Sequence, residues 1–196
     1  MKSITGLVIL GILAVLVFMG CNGYNSLVKQ DESVKKAWNN VQTEYQKRND
    51  LVDNLVETVK GAAEFERSTL NEVIEARANA TKMTVNVNDL TPENVAKFQQ
   101  AQGQLSGSLN RLLATFEAYP NLKATEGYLK FQSQIEGIEN DIRNSRRSFN
   151  EEVNLYNSRV RSFPINILSG MLNFKIREGF KADEGAEKAP KVNFQK

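Results

Sequence analysis

The chain begins with a long apolar run. Residues 4–21, ITGLVILGILAVLVFMGC, contain no charged side chain. A helix of that length is about 27 Å long, close to the roughly 30 Å hydrocarbon core of a bilayer. Lys2 precedes the run, and Tyr24, a residue type common at the membrane–water interface, follows it. The pattern predicts that residues 1–23 attach the protein to a membrane.

Three kinds of N-terminal segment share this pattern. The interpretation that we prefer for this segment is a retained transmembrane helix. The second is a lipoprotein signal, in which Gly20 precedes a Cys21 that is acylated and becomes the new N-terminus, although Phe18 and Met19 are bulkier than usual there. An ordinary secretory signal ranks last because no A-x-A-like cleavage site is present. If the helix is retained, Cys21 is interpreted as a buried, inert thiol at the end of an apolar helix. The first two readings both leave the mature protein on a membrane.

Charge counting does not decide the orientation of this segment. Lys2 lies before it, and Lys29, Lys35 and Lys36 lie after it, so the positive-inside rule is balanced. A very short basic head is also how export signals begin. We therefore expect a single-pass membrane protein whose soluble domain is extracytoplasmic.

Beyond Gly23, apolar residues recur at spacings of three and four, the pattern of amphipathic helices. The first stripe predicts one continuous helix over about 31–80, roughly 75 Å long and coiled-coil-like, with a bend at Gly61. Its seam is Val34, Trp38, Val41, Tyr45, Val52, Leu55 and Val59. Residues 81–90 interrupt the stripe and are interpreted as a loop.

Two further long helices and one short helix follow. Thr91 and Pro92 suit an N-cap and a first helical position, and Tyr119–Pro120 ends the helix that they open. The third helix runs over about 124–162. Residues 165–180 are predicted to form one short helix that packs across the open end of the bundle, or else lies at the membrane interface; we prefer the first.

These elements predict an all-α fold. An N-terminal transmembrane, or lipoprotein signal, helix is followed by an antiparallel long-helix bundle of three main helices plus a short C-terminal helix. The predicted organisation is an anchor over residues 1–23, a helical bundle over 24–180 and a polar C-terminal tail over 181–196.

Composition argues against catalysis. The chain has no histidine and one cysteine, so the commonest general base and metal ligand are missing. The acidic clusters on the first and third helices are interpreted as solvated faces rather than a metal site; they comprise Glu72, Glu75, Glu136, Glu139 and Asp141. We expect no enzymatic activity, no cofactor and no metal.

The charge balance argues against nucleic acid as a partner. The formal net charge is +2, from 25 basic and 23 acidic residues, which gives no strong field for a polyanion. The third helix is locally basic, and a basic stripe beside a membrane suits acidic lipid headgroups at least as well. That stripe comprises Arg143, Arg146, Arg147, Arg159 and Arg161.

Several strings, in this order, resemble the LemA family. They include Trp38-Asn39-Asn40-Val41, the run YQKRNDLV over 45–52, Asn54-Leu55-Val56, Glu75-Ala76-Arg77-Ala78, Arg146-Arg147-Ser148-Phe149-Asn150, Phe163-Pro164 and Ala182-Asp183-Glu184-Gly185-Ala186. The chain departs from the family at Asp53, where Pro is usual, and at Lys47 and Phe149, where Arg and Tyr are common. The resemblance implies a bacterial, membrane-associated, non-enzymatic protein with a transmembrane helix and a long-helix bundle. The family's molecular function is poorly defined.

One motif within these strings is a candidate contact or structural site: Tyr45, Lys47, Arg48 and Asn49. It is either a contact surface or, as we prefer, a place where Arg48 satisfies a buried carboxylate inside the bundle. The hypothesis for the whole chain is a scaffold or interaction module of the bacterial envelope. The alternative is a lipid-anchored periplasmic adaptor with the same bundle. The expected partners are membrane lipids, unidentified proteins and a second copy of the chain.

Overall fold

The structure, a computed structural model, describes residues 2–60, 67–120 and 125–181. All regular elements within these ranges are helical, which confirms the all-α fold class. They are α1 (Lys2–Lys60), α2 (Arg67–Lys82), α3 (Pro92–Thr115), a single 3₁₀ turn (Phe116–Ala118), α4 (Glu126–Arg161) and α5 (Ile165–Met171).

The apolar anchor and the first bundle helix are one helix. α1 has 59 residues, which corresponds to about 88 Å, and it passes the predicted boundary between residues 23 and 24 without a break. Within the described ranges, α1 alone has a stretch long and apolar enough to cross a membrane. Side chains of its first part are exposed, as Leu7 and Phe18 illustrate, whereas Leu27 is fully buried in the bundle.

The predicted continuous helix over 31–80 is wrong. α1 ends at Lys60 and α2 begins at Arg67. Arg77 of α2 forms an ion pair with Asp53 of α1, although these residues would be about 36 Å apart in one straight helix. α2 therefore folds back antiparallel to α1 and adds a fourth helix to the bundle. The predicted bend at Gly61 lies outside the described residues.

Local capping agrees with the sequence pattern for α3. Thr91 Oγ1 accepts a hydrogen bond from the backbone N of Asn94 at 3.2 Å, and Pro92 is the first helical residue. The preceding loop, residues 83–91, is not a strand, and its Val85 is buried. The carbonyl of Val85 accepts from Trp38 Nε1 at 3.2 Å, which ties the loop to α1.

The core consists of two clusters. The membrane-proximal one centres on Trp38, whose ring lies 5.2 Å from those of Phe98 and Phe149 and 5.7 Å from that of Phe180, between centroids. The distal one joins all four long helices through residues such as Val52, Val73, Leu105, Leu112, Phe131 and Ile135. α1 and α4 are antiparallel, because Gln30 bonds to Glu152 and Arg48 to Glu139.

The C-terminal segment differs from its prediction. The helix α5 ends at Met171 and residues 172–173 form a turn. Residues 174–181 then run in extended form along α4, and we call them the C-terminal strap. The segment does pack on the bundle, since Ile165 and Phe180 are buried. The predicted helix over 165–180 is thus wrong beyond Met171, because side chains of α4 bind the strap backbone. Residues 182–196 of the predicted tail lie outside the described residues.

Candidate functional site

Helix geometry divides the candidate motif between the inside and the outside of the bundle. Tyr45, Arg48 and Asn49 are three and four residues apart, so they share one face of α1, and all three are buried. Lys47 points outward and forms a surface ion pair with Glu44 at 2.9 Å. Lys47 is therefore not part of the same chemical group as the other three.

The guanidinium of Arg48 joins α1 to α3 and α4. Its side chain is 1% exposed. Nη1 donates to Ser106 Oγ at 2.6 Å and to Glu139 Oε1 at 3.0 Å. Nη2 donates to the side-chain Oε1 of Gln102 at 2.6 Å and to its backbone O at 3.1 Å. Four acceptors on two other helices make this arginine a cross-brace between the two core clusters.

Three features of the surroundings of Arg48 bear on the strength of this cross-brace. Glu139 is one-third exposed, so its carboxylate keeps contact with water and only the cation is fully desolvated. The guanidinium carbon lies 5.0 Å from the ring centroid of Tyr45, within range of a cation–π contact. Arg48 Nε has no hydrogen-bond partner. The interpretation of the motif as structural thus corresponds to these contacts of Arg48, with a carboxylate that is only partly buried.

Tyr45 is the buried titratable group of the motif whose pKa is shifted. Burial raises the pKa of its phenol above the ordinary value, and the positive charges of Arg146 and Arg48 oppose this only in part. Its ring packs edge-on against Phe98 at 5.1 Å. Burial therefore disfavours the phenolate form, and Tyr45 is a packing group rather than a general base.

A polar cleft of about 460 Å³ adjoins the motif. Its lining, from α1, α2, the following loop and α3, is uncharged and rich in amide and hydroxyl side chains; it comprises Asn39, Gln42, Thr43, Tyr45, Gln46, Asn49, Ala80, Thr81, Met83, Thr84, Phe98 and Gln102. Asn49 Oδ1 is buried without a hydrogen-bond partner. Such a lining can hold water or a small neutral polar group, and it offers neither a nucleophile nor a metal ligand of the usual kind.

The carboxylates considered as metal ligands have other partners or are dispersed. Glu139 binds Arg48, and Glu72 pairs with Arg111 at 3.0 Å. Glu136 accepts from Gln132 Nε2 at 3.3 Å. In the described part of the chain, no group of three or more His, Cys, Asp or Glu side chains is arranged to hold a metal ion.

The remaining candidate positions are on the surface or serve the fold. Cys21 is exposed on α1. Of the basic stripe on α4, Arg147 pairs with Glu151, and Arg146 covers the ring of Phe180 at 4.7 Å from its centroid. Arg146 also donates to the carbonyl of Lys181 at 3.3 Å, so it holds the strap rather than projecting freely.

Sequence reasoning missed Asn150 and Asn157, which bind the strap. Both lie on α4 among polar residues, and an isolated asparagine in a helix carries no signal for such a role. Asn157 Nδ2 donates to the carbonyl of Arg177 at 2.7 Å and its Oδ1 accepts from the N of Arg177 at 2.8 Å. The strap's backbone groups are satisfied by these side chains in place of a neighbouring strand.

Comparison with known proteins gives one family. The model of the LemA family matches residues 37–194. Protein LemA of Metamycoplasma hominis is 23% identical over 172 residues, which cover 88% of this chain and 75% of that protein. Magnetosome protein MamQ 2 of Paramagnetospirillum magneticum is 23% identical over 194 residues, covering 89% of this chain and 71% of that protein. Magnetosome protein MamQ of Magnetospirillum gryphiswaldense is 23% identical over 174 residues, 80% of this chain and 64% of that protein.

Proposed function

The chain belongs to the LemA family, and on that premise we propose that it acts as a membrane-anchored helical scaffold that presents its bundle to other proteins. The protein is membrane-associated, as its family and its apolar N-terminal helix indicate. The observation that carries the proposal is the continuity of α1, which runs from the apolar segment into the bundle core. A helix without a break transmits position and orientation from the membrane to the bundle, which a flexible linker would not.

A non-catalytic role is part of this proposal. The motif that the sequence singled out is occupied by internal contacts of Arg48, and the adjoining cleft is lined by uncharged side chains. The one ionisable side chain of the cleft lining, Tyr45, is buried, and burial raises its pKa. These features support packing and binding rather than proton transfer.

We further propose that the bundle lies outside the cytoplasm. Single-cysteine labelling tests this in whole cells, because Cys21 is the only cysteine. With Cys21→Ser and Gln46→Cys, whose site is exposed on α1, a membrane-impermeant maleimide should label intact cells. Labelling that requires permeabilised cells would place the bundle in the cytoplasm.

Photo-crosslinking in native membranes tests the scaffold proposal. Ile74, Leu129 and Leu155 are apolar, exposed and separated on the bundle surface, and each is replaced in turn by a photoreactive residue. We expect discrete protein adducts at one position or more, with doubled mass where the partner is a second copy. Adducts should weaken when residues 1–23 are removed. Absence of protein adducts at all three positions would argue against a scaffold.

The lipid-anchored adaptor remains the second candidate because Cys21 is exposed at the end of the apolar run. Intact mass of the protein from native membranes separates the two. A mass that begins at Cys21 with added acyl chains supports the lipoprotein, whereas the full chain supports a retained transmembrane helix. Both outcomes are compatible with the same bundle, and only the first makes Cys21 a modification site.

A further inference from the structure

The short helix α5 lies where α1 leaves the membrane. Gly23 of α1 is buried against it: a Cβ at this glycine would lie 3.1 Å from Leu168 Cδ1 and 3.6 Å from Ile165 Cγ1. The stretch of α1 over residues 4–23 is about 30 Å long, which matches the hydrocarbon thickness of a bilayer. The contact at Gly23 therefore puts α5 at the level of the membrane–water interface.

The side of α5 that faces away from the bundle carries two large apolar side chains beside the exposed Asn166 and Gly170. Ile165 and Ser169 face inward, and Ser169 Oγ donates to the carbonyl of Val160 at 2.9 Å, which fixes α5 beneath the end of α4. One turn apart on the other side, Ile167 is 57% exposed and Met171 is 79% exposed. We call the exposed apolar side chains here the collar: Phe163, Ile167, Met171 and Leu172.

The members of the collar lie close together in the sequence, and the exposed Ile176 follows them. The four members fall within ten residues of chain at one end of the molecule. Ile74, Leu129 and Leu155 are also exposed but lie singly on α2 and α4. Scattered apolar side chains are normal on a soluble surface, whereas a contiguous patch marks an interaction site.

The charge around the collar is positive. Residues 153–177 contain four basic and no acidic residues, in a chain whose total charge is only +2. Arg177 is paired with Asp31 at 2.6 Å. The other three, Arg159, Arg161 and Lys175, are exposed and lie within four residues of a collar member in the sequence. This combination of apolar side chains rimmed by cations is typical of surfaces that lie in an anionic membrane interface.

We propose that the collar is a second membrane-contact site, which inserts into the interfacial layer of the bilayer that α1 crosses. Phe163, Ile167 and Met171 enter the boundary between headgroups and acyl chains, and the neighbouring cations meet anionic headgroups. The bundle is then held at two points, so that its tilt is fixed relative to the membrane. The proposal rests on α1 spanning the bilayer and does not depend on a protein partner.

The bilayer fits this site better than a second copy of the chain does. α5 packs against Gly23, at the end of the apolar run of α1, so the membrane that α1 crosses can also cover the collar without further assembly. A symmetric dimer through the collar would bring the like charges of Arg159, Arg161 and Lys175 together, which is unfavourable. Anionic headgroups neutralise the same charges.

Depth-dependent quenching in vesicles tests the proposal on the full chain. In a Cys21→Ser background, single cysteines are placed by Ile167→Cys or Met171→Cys, labelled with an environment-sensitive fluorophore and reconstituted with phosphatidylcholine and phosphatidylglycerol. Nitroxide-bearing lipids then act as quenchers. Val15→Cys, within the apolar run, reports insertion of α1. Leu129→Cys is the matched control, because Leu129 is exposed and apolar but far from the membrane. Arg48 lies about 37 Å from Gly23 along α1, and Leu129 lies about 15 Å beyond the level of Arg48 along α4.

The expected result is a blue-shifted emission at positions 167 and 171 that is quenched most by nitroxides near the headgroup. Position 15 should be quenched most by nitroxides deep in the bilayer. Position 129 should be quenched neither by these nor by nitroxides near the headgroup. Quenching at 167 and 171 should rise with the fraction of phosphatidylglycerol, and Arg159→Gln with Arg161→Gln should reduce that rise. Emission at 167 and 171 as red as at 129 would overturn the proposal. A blue-shifted emission without lipid quenching would do so too, because a protein would then cover the collar. Quenching at 15 in either case shows that the anchor itself is inserted.

Discussion

The side-chain amide of Asn150 is hydrogen bonded at both ends to the backbone of Phe180. Its Oδ1 accepts from the Phe180 N at 2.8 Å, and its Nδ2 donates to the Phe180 carbonyl at 3.0 Å. Asn157, two turns further along α4, binds Arg177 in the same way. The two asparagines act as clasps that hold the C-terminal strap in an extended form, and the Phe180 ring enters the aromatic cluster around Trp38.

Loss of one clasp should loosen the strap without unfolding the bundle. Asn150→Ala leaves the N and carbonyl of Phe180 without their partners, and a cost of about 1–3 kcal/mol in the free energy of unfolding is expected. Hydrogen exchange at the Phe180 amide should accelerate more than exchange within α4. Asn154→Ala removes an exposed asparagine from the same helix and should leave both quantities nearly unchanged. Equal exchange rates at Phe180 in the two variants would show that the clasp does not hold the strap.

Gly179 is required by the same clasp. A Cβ at this position would lie 2.5 Å from Asn150 Oδ1 and 3.0 Å from its Cγ. The amide cannot move away without breaking its bonds to Phe180, so Gly179→Ala should destabilise the protein by about 1–2 kcal/mol. Gly137→Ala is the control, since nothing lies within 4 Å of its Cβ in the middle of α4, and it should stabilise by about 0.5–1 kcal/mol. Thermal melting in detergent compares the two, and a neutral Gly179→Ala would contradict the argument.

The sequence predicted these elements unevenly, for physical reasons. Periodicity located the helices because burial of one face is local information, and Thr91 with Pro92 located the start of α3. The reversal between α1 and α2 was missed because the apolar stripe continues through it. Val52 of α1 and Val73 of α2 belong to the same core cluster, although the two helices run in opposite directions. The extended strap was missed because its hydrogen bonds come from asparagines twenty and thirty residues away. Its apolar residues alone are equally compatible with a helix.

Arg48 should contribute more to stability than any surface arginine. Arg48→Met leaves the acceptors on Gln102 and Glu139 without their cation, with an expected cost of about 3 kcal/mol. Glu139→Gln should cost only about 1 kcal/mol, because Glu139 is one-third exposed and the amide oxygen still accepts. Arg147→Ala, which removes an exposed ion pair with Glu151, should change stability by less than about 0.5 kcal/mol. Denaturant titration of the three variants tests this order.

Lysine should not replace Arg48. The guanidinium reaches acceptors on Ser106, Gln102 and Glu139 from two nitrogens at fixed angles, whereas an ammonium is a single point with a different reach. Arg48→Lys should therefore recover less than half of the loss in Arg48→Met. Full recovery would mean that charge alone, and not the geometry of the cross-brace, is what the bundle needs.

Stability should fall in alkaline solution, and Tyr45 should account for part of the fall. Burial raises the pKa of Tyr45 in the folded protein, while in the unfolded chain it stays near 10. Between these two values the folded state binds more protons, so the free energy of unfolding decreases as pH rises above about 10. Tyr45→Phe removes the ionisable hydroxyl group and should reduce the difference in the free energy of unfolding between pH 7 and pH 11. An unchanged difference would assign the alkaline loss to other groups, such as Lys35, whose pKa is raised by hydrogen bonds to Glu32 and Asp31.

The contact between α1 and α5 predicts a difference between two glycines only three residues apart. Gly23→Leu places a side chain where Leu168 and Ile165 already lie, so α5 must move away from α1, at a cost of about 1–3 kcal/mol. Gly20→Leu meets nothing within 4 Å and should be tolerated. If the collar lies in the membrane interface, Gly23→Leu should also change the quenching of a fluorophore at position 171, because α5 is displaced relative to the bilayer. Identical melting temperatures and identical quenching in the two variants would show that α5 does not pack against α1 at Gly23. The geometric basis for a second membrane contact would then be lost.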